Sequence, residues 1–396
     1  MRPPRYDYPM KRGGVFFAIE ALLVVMIGGM VAYGWSTHRD RHVTPAYEDA
    51  AIWAPDRWER MELLDVDSDG SLLVAFYDGA REVASGLGRP DLAGQQPGIA
   101  LVTPDGATHV LHKPSALDRD AIGSAVGSVH RGSIAVSWQV IEGAVSPENK
   151  LTYLSNGSTV ALATGTVNGL SGAPTPTVDG LPVVVKWGGL HVADGALVAY
   201  VVEQTDGISG LQFVGLLDAT TGIVSVIENG IFLAPMRDLC DQAGNTFGIP
   251  AVDDGGVAIH QFEVVGGHAS AATAITSPPD SGSMLPINAC GTDIAGMTGK
   301  TRTLSWTNGA GDTSSVKMSD IAGDVFLAPQ WLAAHKISVE GQTAELVVVD
   351  RFTGVTTNVG ETCDRVVPAG DWIAFGYPEG DTCRPVAVPA SVLLSP

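Results

Sequence analysis

The sequence predicts an all-β domain held behind one N-terminal membrane-spanning helix, and three observations carry that prediction. Beyond residue 36 no segment keeps a 3.6-residue apolar period for three turns. Short β-branched runs instead alternate with Gly, Asp and Asn turns, among 48 glycines and 24 prolines in 396 residues. Ahead of them lies a single long apolar stretch, Gly13 to Trp35. With 45% apolar and 17% charged residues, the chain has the composition of a globular protein.

The apolar stretch comes first in the chain. Its 23 residues carry one charge, Glu20, and about 20 residues suffice for a helix to cross a bilayer core. Tyr33 and Trp35 stand at its far end, at the depth where aromatic side chains anchor a span, and no small-residue cleavage site follows. An uncleaved anchor is therefore expected. Arg2, Arg5, Lys11 and Arg12 precede the span, against Arg39 and Arg41 after it, which favours a cytoplasmic N-terminus. The expected organisation is a cytoplasmic tail over 1–12, a transmembrane helix over 13–35, a linker over 36–58 and an extracytoplasmic domain over 59–396. Glu20 lies four residues before the midpoint of the span, about 6 Å along the helix axis, too deep for a short acidic side chain to reach water easily. Two readings stand: a neutralised Glu in a plain anchor, or a contact with a second membrane helix, with Gly28 about 80° around the helix allowing close approach. The second would bring a membrane-protein partner or a homo-oligomer.

All four cysteines, Cys240, Cys290, Cys363 and Cys383, fall in the expected outer domain, and none forms a CxxC pair. Zinc and thioredoxin-type chemistry are thereby disfavoured. Three disulfide pairings are open, as is a set of buried free thiols; the sequence-local pairing joins Cys240 to Cys290 and Cys363 to Cys383. Cys363 and Cys383 bracket the hairpin VVPAGDWIAFGY, which should bring their α-carbons within the roughly 4.4 to 6.8 Å a bridge needs.

Charge narrows the partners. The chain's formal charge is −20, and beyond residue 42 there are 17 basic against 40 acidic side chains, a balance of −23. Nucleic acid and anionic lipid surfaces are poor partners for such a domain.

Within the domain one pattern recurs: a Gly-bearing turn, then an apolar strand that often ends in an aromatic. It appears at Asp69-Gly70, Arg131-Gly132, Asp194-Gly195, Asp254-Gly255 and Ala369-Gly370, with degenerate copies at Thr298-Gly299 and before Trp331. The first four glycines are 62, 63 and 60 residues apart. Each copy is followed by a further strand-turn-strand, as in IALVTPDGATHVLH, LTYLSNGSTVALA, FVGLLDATTGIVSVI and LVVVDRFTGVTTNV. Two successive hairpins make a four-stranded antiparallel unit, and a ring of such units buries both faces of each. The fold class expected is therefore an all-β propeller of seven blades, with six still open; a pair of β-sandwich domains is the structural alternative. The DG turn followed by a D-x-x-T-G hairpin resembles the blade pattern of TolB-like and WD-repeat-like propellers over roughly Glu59 to Pro396, although strict Gly-His and Trp-Asp signatures are missing. Little chain remains after the last hairpin, so a strand from about Ile52 to Leu64 is expected to complete the terminal blade.

Candidate chemistry is sparse. Asp65, Asp67 and Asp69 in DVDSDG copy the first half of a calcium loop, yet its twelfth position is Phe76 where a bidentate Glu belongs. An Asp-rich turn is the favoured reading, with a Ca2+ site completed by distant residues left open. GMTGKT, residues 296 to 301, lacks the first Gly of a phosphate loop because position 294 is Ile294. His109 and His112 are three apart in a strand and so point to opposite faces. There is no HExxH, no GxSxG elbow and no α/β domain for a Ser-His-Asp triad. Asn156-Gly157-Ser158 reads as a hairpin turn. Three connections exceed a minimal turn, Gly79 to Pro97, Thr166 to Pro182 and Val265 to Ser283, and loops on a rigid ring are where binding surfaces arise. Two functions remain: a tethered binding or scaffolding module, in the manner of an accessory subunit of an envelope complex, or a carboxylate-dependent hydrolase or lyase at a central pocket.

Overall fold

A computed structural model describes residues 47 to 394, apart from 80, 85–89, 119–120, 142–157, 204–209, 233–235, 239–244, 254–255, 272–273, 277–283, 291–292, 299–302, 308–312, 318–320, 338–343 and 381. Residues 13–35, with Glu20 and Gly28, lie outside that range, as does Cys240. Among the described residues no helix is long and apolar enough to cross a membrane.

The alternating strands close into seven antiparallel sheets in chain order, the blades of a β-propeller. Blade 1 runs outward from the ring axis as Arg60–Val66, Leu72–Tyr77, Gly98–Val102 and Thr108–His112. Blade 2 is Ile122–His130, Ser133–Ile141, Ser158–Thr166 and Gly169–Ala173. Blade 3 is Leu181–Ala193, Ala196–Glu203, Gln212–Leu217 and Val224–Asn229. Blade 4 is Arg237–Asp238, Thr246–Asp253, Gly256–Val265 and an outer strand broken into His268–Ala271 and Ile275–Thr276. Blade 5 is Met284–Cys290, Asp293–Thr298, Thr303–Thr307 and Thr313–Lys317. Blade 6 is Ile321–Leu327, Trp331–Ile337, Ala344–Asp350 and Thr356–Thr362.

Blade 7 closes the ring by mixing the two ends of the chain. Its strands Val366–Ala369, Trp372–Glu379 and Thr382–Pro389 are completed by Ile52–Trp53, with Ile52 opposite Ala387 and Trp53 opposite Val386. The expected closure is therefore present, though its strand is two residues long; Arg60–Val66 belongs to blade 1. The described fold begins at Tyr47, ahead of the boundary that periodicity placed near Glu59, because so short a strand leaves no periodic signal. Gly70 shows how tightly the seam is built. Its φ is +91°, and a Cβ there would lie 2.7 Å from both Ile52 Cδ1 and the Trp372 ring.

The core is not central but divided among the blade junctions. Val126, Leu162, Val185 and Leu217 fill the gap between blades 2 and 3, and Phe232, Phe247 and Phe262 with Tyr200 that between blades 3 and 4. Leu327, Leu332, Leu304 and Trp306 join blades 5 and 6. Burying both faces of every blade explains why the strands read as apolar runs rather than strict alternations, as in Leu72–Tyr77, where all six residues are buried.

Two hairpins were misplaced by the repeat. The strands flanking Asp254-Gly255 are the second and third of blade 4, and those flanking Thr298-Gly299 the second and third of blade 5, whereas Asp69-Gly70 joins the first and second of blade 1. In blade 2 the outer hairpin is Ser158–Thr166 with Gly169–Ala173, one strand later than LTYLSNGSTVALA implied. A hairpin signal is local and does not encode which hairpin of a blade it builds.

Candidate functional site: the axial channel and its two mouths

Each innermost strand turns one hydrogen-bonding edge toward the ring axis, where no further strand is required to pair it. Acceptors of the preceding blade, three side chains and one backbone carbonyl, fill part of that role. Asp364, leading into blade 7, accepts from Leu63 N of blade 1 at 2.7 Å, and Asp65 of blade 1 accepts from Val129 N of blade 2 at 2.8 Å. Ser128 Oγ of blade 2 accepts from Val192 N of blade 3 at 3.2 Å, and Gly188 O of blade 3 from Met236 N at 3.0 Å. The contacts run in one sense around the ring, from blade 7 through 1, 2 and 3 to 4.

The Asp-rich turn belongs to this relay. Asp67, 3% exposed, accepts from Ser68 N at 2.7 Å and Arg131 N at 2.9 Å through Oδ1, and from Gly132 N at 2.7 Å through Oδ2. Asp69 Oδ1 accepts from Ser71 N at 2.8 Å and closes its own turn. Asp65 and Asp67 thus reach forward to blade 2 while Asp69 stays local. Among the described residues no group of three or more His, Cys, Asp or Glu side chains is placed to hold a metal ion.

Turns joining the first to second and third to fourth strands share one face, here the turn face; Arg351 N of one donates to Gln330 O of the other in blade 6. These turns are short and internally bonded. Asp218 accepts from Thr220 N and Thr221 Oγ1, each at 2.8 Å, and Asp350 from Phe352 N at 2.9 Å and Thr353 N at 2.8 Å. The hydrogen bonds hold both carboxyls below the usual Asp pKa: for Asp218 chiefly the Thr221 hydroxyl, for Asp350 chiefly the Thr353 N–H. Asp194 of blade 3 accepts from Gly266 N of blade 4, and Arg351, 6% exposed, pairs with Asp293 of blade 5 while donating to Ala328 O at 2.6 Å.

The opposite, loop face carries the connections between second and third strands and between blades. Cys363 and Cys383 form a disulfide there with α-carbons 5.7 Å apart, within the expected range. Cys290 is also disulfide-bonded, which leaves Cys240 as the chain's remaining cysteine. The long connection Gly79 to Pro97 contains a hairpin, Arg81–Ala84 with Pro90–Ala93, added to the axial side of the first strand of blade 2 by pairing Ala93 with Ile122. Gln95–Gln96 then pairs Ser115–Ala116. The insertion therefore lies across the loop-face end of blade 2 at the channel. It is tied down by Gln95, which exchanges two hydrogen bonds with the Asp78 backbone at 2.8 and 2.6 Å, and by Trp138 Nε1 donating to Pro97 O at 3.0 Å. Gly123 permits the contact, since a Cβ there would stand 2.4 Å from Gln95 O. Beside it Tyr77 Oη lies 3.2 Å from Gly123 O and 3.3 Å from Glu62 Oε2. Lys186 sits on an irregular stretch of the first strand of blade 3, and burial pulls its pKa down.

Sequence reasoning singled out Asp65, Asp67 and Asp69 but missed Asp364, Ser128, Arg351 and the inserted hairpin. A signal for part of this existed: Asp65 to Val129, Asp67 to Arg131 and Ser128 to Val192 are each 64 residues apart, one repeat.

No protein-family model and no curated protein matches the sequence. Solved structures do. A prolyl endopeptidase aligns at 13% identity and a TM-score of 0.48 over 97% of this chain and 53% of its own. A puromycin-hydrolysing peptidase of Mycobacterium tuberculosis aligns at 11% and 0.49 over 91% and 55%. The β-propeller domain of the trilobed protease of Pyrococcus furiosus aligns at 9% and 0.45 over 85% and 100%. The chain spans about half the length of the first two. Identities and TM-scores this low add nothing beyond a likeness of fold; the class, a seven-bladed β-propeller, is defined by the seven antiparallel sheets of this chain.

Proposed function

We propose that this chain is a membrane-tethered, extracytoplasmic binding module, a rigid ring that engages a protein of the same envelope in the manner of an accessory subunit. The observation that carries the reading is how the channel carboxylates are used: Asp65, Asp67 and Asp364 each accept from backbone N–H groups of a neighbouring blade. A carboxylate so engaged commits its acceptor oxygens to the backbone of the next blade and holds the ring together. Loops on the rigid frame are left as the functional surface. Disulfides at Cys363–Cys383 and Cys290 suit an oxidising compartment. Residues 13–35 supply the tether on composition, and Glu20 with Gly28 supplies a polar, close-approach contact for a partner's membrane helix.

The test is affinity purification of the full chain in mild detergent after brief cross-linking, read by mass spectrometry. A reproducible, stoichiometric membrane protein is expected, and Glu20→Leu should leave insertion intact while lowering its recovery. Recovery of the chain alone, together with hydrolase or lyase activity abolished at Glu62 or Tyr77, would overturn the binding reading.

A further inference from the structure

Three consecutive residues where the chain leaves blade 6 each hold a different part of the ring. Thr362, buried at the end of the fourth strand, pairs through Oγ1 with His335 Nε2 of the second strand of blade 6 at 2.7 Å. Cys363 is bridged to Cys383 of blade 7, and its N–H donates to Gly376 O of the same blade at 3.0 Å. Asp364, also buried, crosses the seam between the chain ends: its Oδ2 accepts from Leu63 N of blade 1 and its Oδ1 from Arg365 N, both at 2.7 Å. The carboxylate that caps the inner edge of blade 1 is thus carried by the residue next to a disulfide. Asp65, which caps Val129 N of blade 2 at 2.8 Å in the same way, has no cysteine near it in sequence.

Packing couples the clasp to the bridge. A Cβ at Gly376 would lie 2.5 Å from both Cys383 Sγ and Asp364 Cβ, so the sulfur and the carboxylate stem sit against the same bare backbone. The seam also has an apolar support, since Ile52, Leu63, Leu72, Ala374 and Ala387 form one buried cluster across blades 7 and 1. Opening the bridge therefore loosens the clasp without parting the two blades, a local opening rather than a global one. Both cysteines are half-buried on the loop face, which leaves the bridge open to a small dithiol.

We propose that the Cys363–Cys383 bridge is a redox-operated latch for Asp364. Oxidised, it holds the carboxylate on Leu63 N; reduced, it lets the segment from Thr362 to Arg365 shift and uncaps the inner edge of blade 1 at the channel. The reductant is a dithiol. One of its thiolates attacks a sulfur of the bridge, breaking the S–S bond and forming a mixed disulfide; its second thiolate then displaces the chain's sulfur. The dithiol leaves as a disulfide, and two electrons and two protons pass to the chain, which ends with two thiols. The latch lies wholly within the ring and does not depend on residues 13–35.

The full chain carrying Cys240→Ser and Cys290→Ser keeps this bridge alone. Hydrogen exchange of the Leu63 and Val129 amides is followed with and without dithiothreitol, and the thiols released are counted by alkylation. After reduction Leu63 should exchange several-fold faster while Val129 is unchanged, and with Asp364→Ala added Leu63 should be fast in both states. If the serine pair does not fold, the native chain is titrated with dithiothreitol, and Leu63 should quicken as Cys363 and Cys383, not Cys240 and Cys290, become alkylated. Two free thiols with Leu63 still slow would overturn the latch, as would a bridge that opens only in urea. Equal quickening at Leu63 and Val129, or a response to reductant that persists in Asp364→Ala, would overturn it too, because the ring would then be loosening as a whole.

Discussion

The turn face and the loop face of this ring are built by different means. On the turn face, carboxylates one to four residues before a glycine accept the N–H groups of their own turn or of the turn one repeat away, as Asp69, Asp67 and Asp350 do. On the loop face the ties are remote: a disulfide, an inserted hairpin paired to the next blade, and the tryptophan of blade 2 bonded to the blade 1 connection. Short turns need only local acceptors, because the strands already fix both their ends. Long connections must be held from outside. The turn face should accordingly yield to single carboxylate changes, and the loop face to loss of its covalent and long-range links.

The largest effect is expected from removing the loop-face disulfide. Closing a loop of 20 residues stabilises by about 3 kcal/mol in the chain-entropy account, so Cys363→Ser with Cys383→Ser should lower the denaturation free energy by that order. Urea unfolding of the double variant checks it, without the reductant that would also open the Cys290 bridge. A variant as stable as the native chain would show that the loop face is held by its non-covalent ties alone. Next comes the seam between the chain ends. At Gly70 a methyl group would need a left-handed backbone and would strike Ile52 and Trp372, so Gly70→Ala should cost about 2 to 3 kcal/mol. Hydrogen exchange should then quicken first at Ile52–Trp53 and its partners Val386 and Ala387. Exchange unchanged there would mean that the two-residue strand does not close the ring.

Asp67→Ala is the matching test on the turn face. It leaves Arg131 N and Gly132 N without their acceptor in a largely buried site, at a cost of about 2 kcal/mol. Asp69→Ala, which loses one bond within an exposed turn, should cost about 1 kcal/mol or less. Equal effects at the two positions would erase the distinction between a blade-to-blade clasp and a turn closure.

How much of this was legible follows the same division. Blades 1 to 3 could be read because their Gly turns occupy the same place in each unit at nearly constant spacing, and the paired hairpins of blades 1, 3 and 6 carried their own turn residues. Blades 4 and 5 were shifted because a DG or TG turn suits any hairpin of a blade. Asp364 could not be found from sequence: it stands 301 residues from Leu63, whose N–H it accepts, and no periodicity links positions across the seam. The inserted hairpin was visible only as an overlong connection, since its pairing to Ile122 depends on where blade 2 lies beside it.

The smallest effect expected is a pH dependence confined to the turn face. Asp105, Asp218 and Asp350 are held below the usual Asp pKa by the hydroxyls and N–H groups of their own turns, Thr103 leading for Asp105, Thr221 for Asp218 and Thr353 for Asp350. A carboxyl whose folded pKa is depressed contributes stability that is present above its unfolded value, near 3.9, and lost as pH falls through the folded value. The contribution should therefore be intact at neutral pH and fade only below about pH 4. All three groups are exposed, so water screens the effect and each share is small. Replacing the three by Asn keeps an acceptor oxygen but removes the titration, and thermal melts from about pH 6 to pH 2.5 should show a flatter acid limb than the native chain. Asn at 350 should also leave the Phe352 tip in place, because an amide oxygen can still accept from Phe352 N and Thr353 N. An acid limb that stays as steep in the triple variant would place the acid-sensitive groups elsewhere in the molecule, and the turn face would then differ from the loop face in its geometry but not in its response to acid.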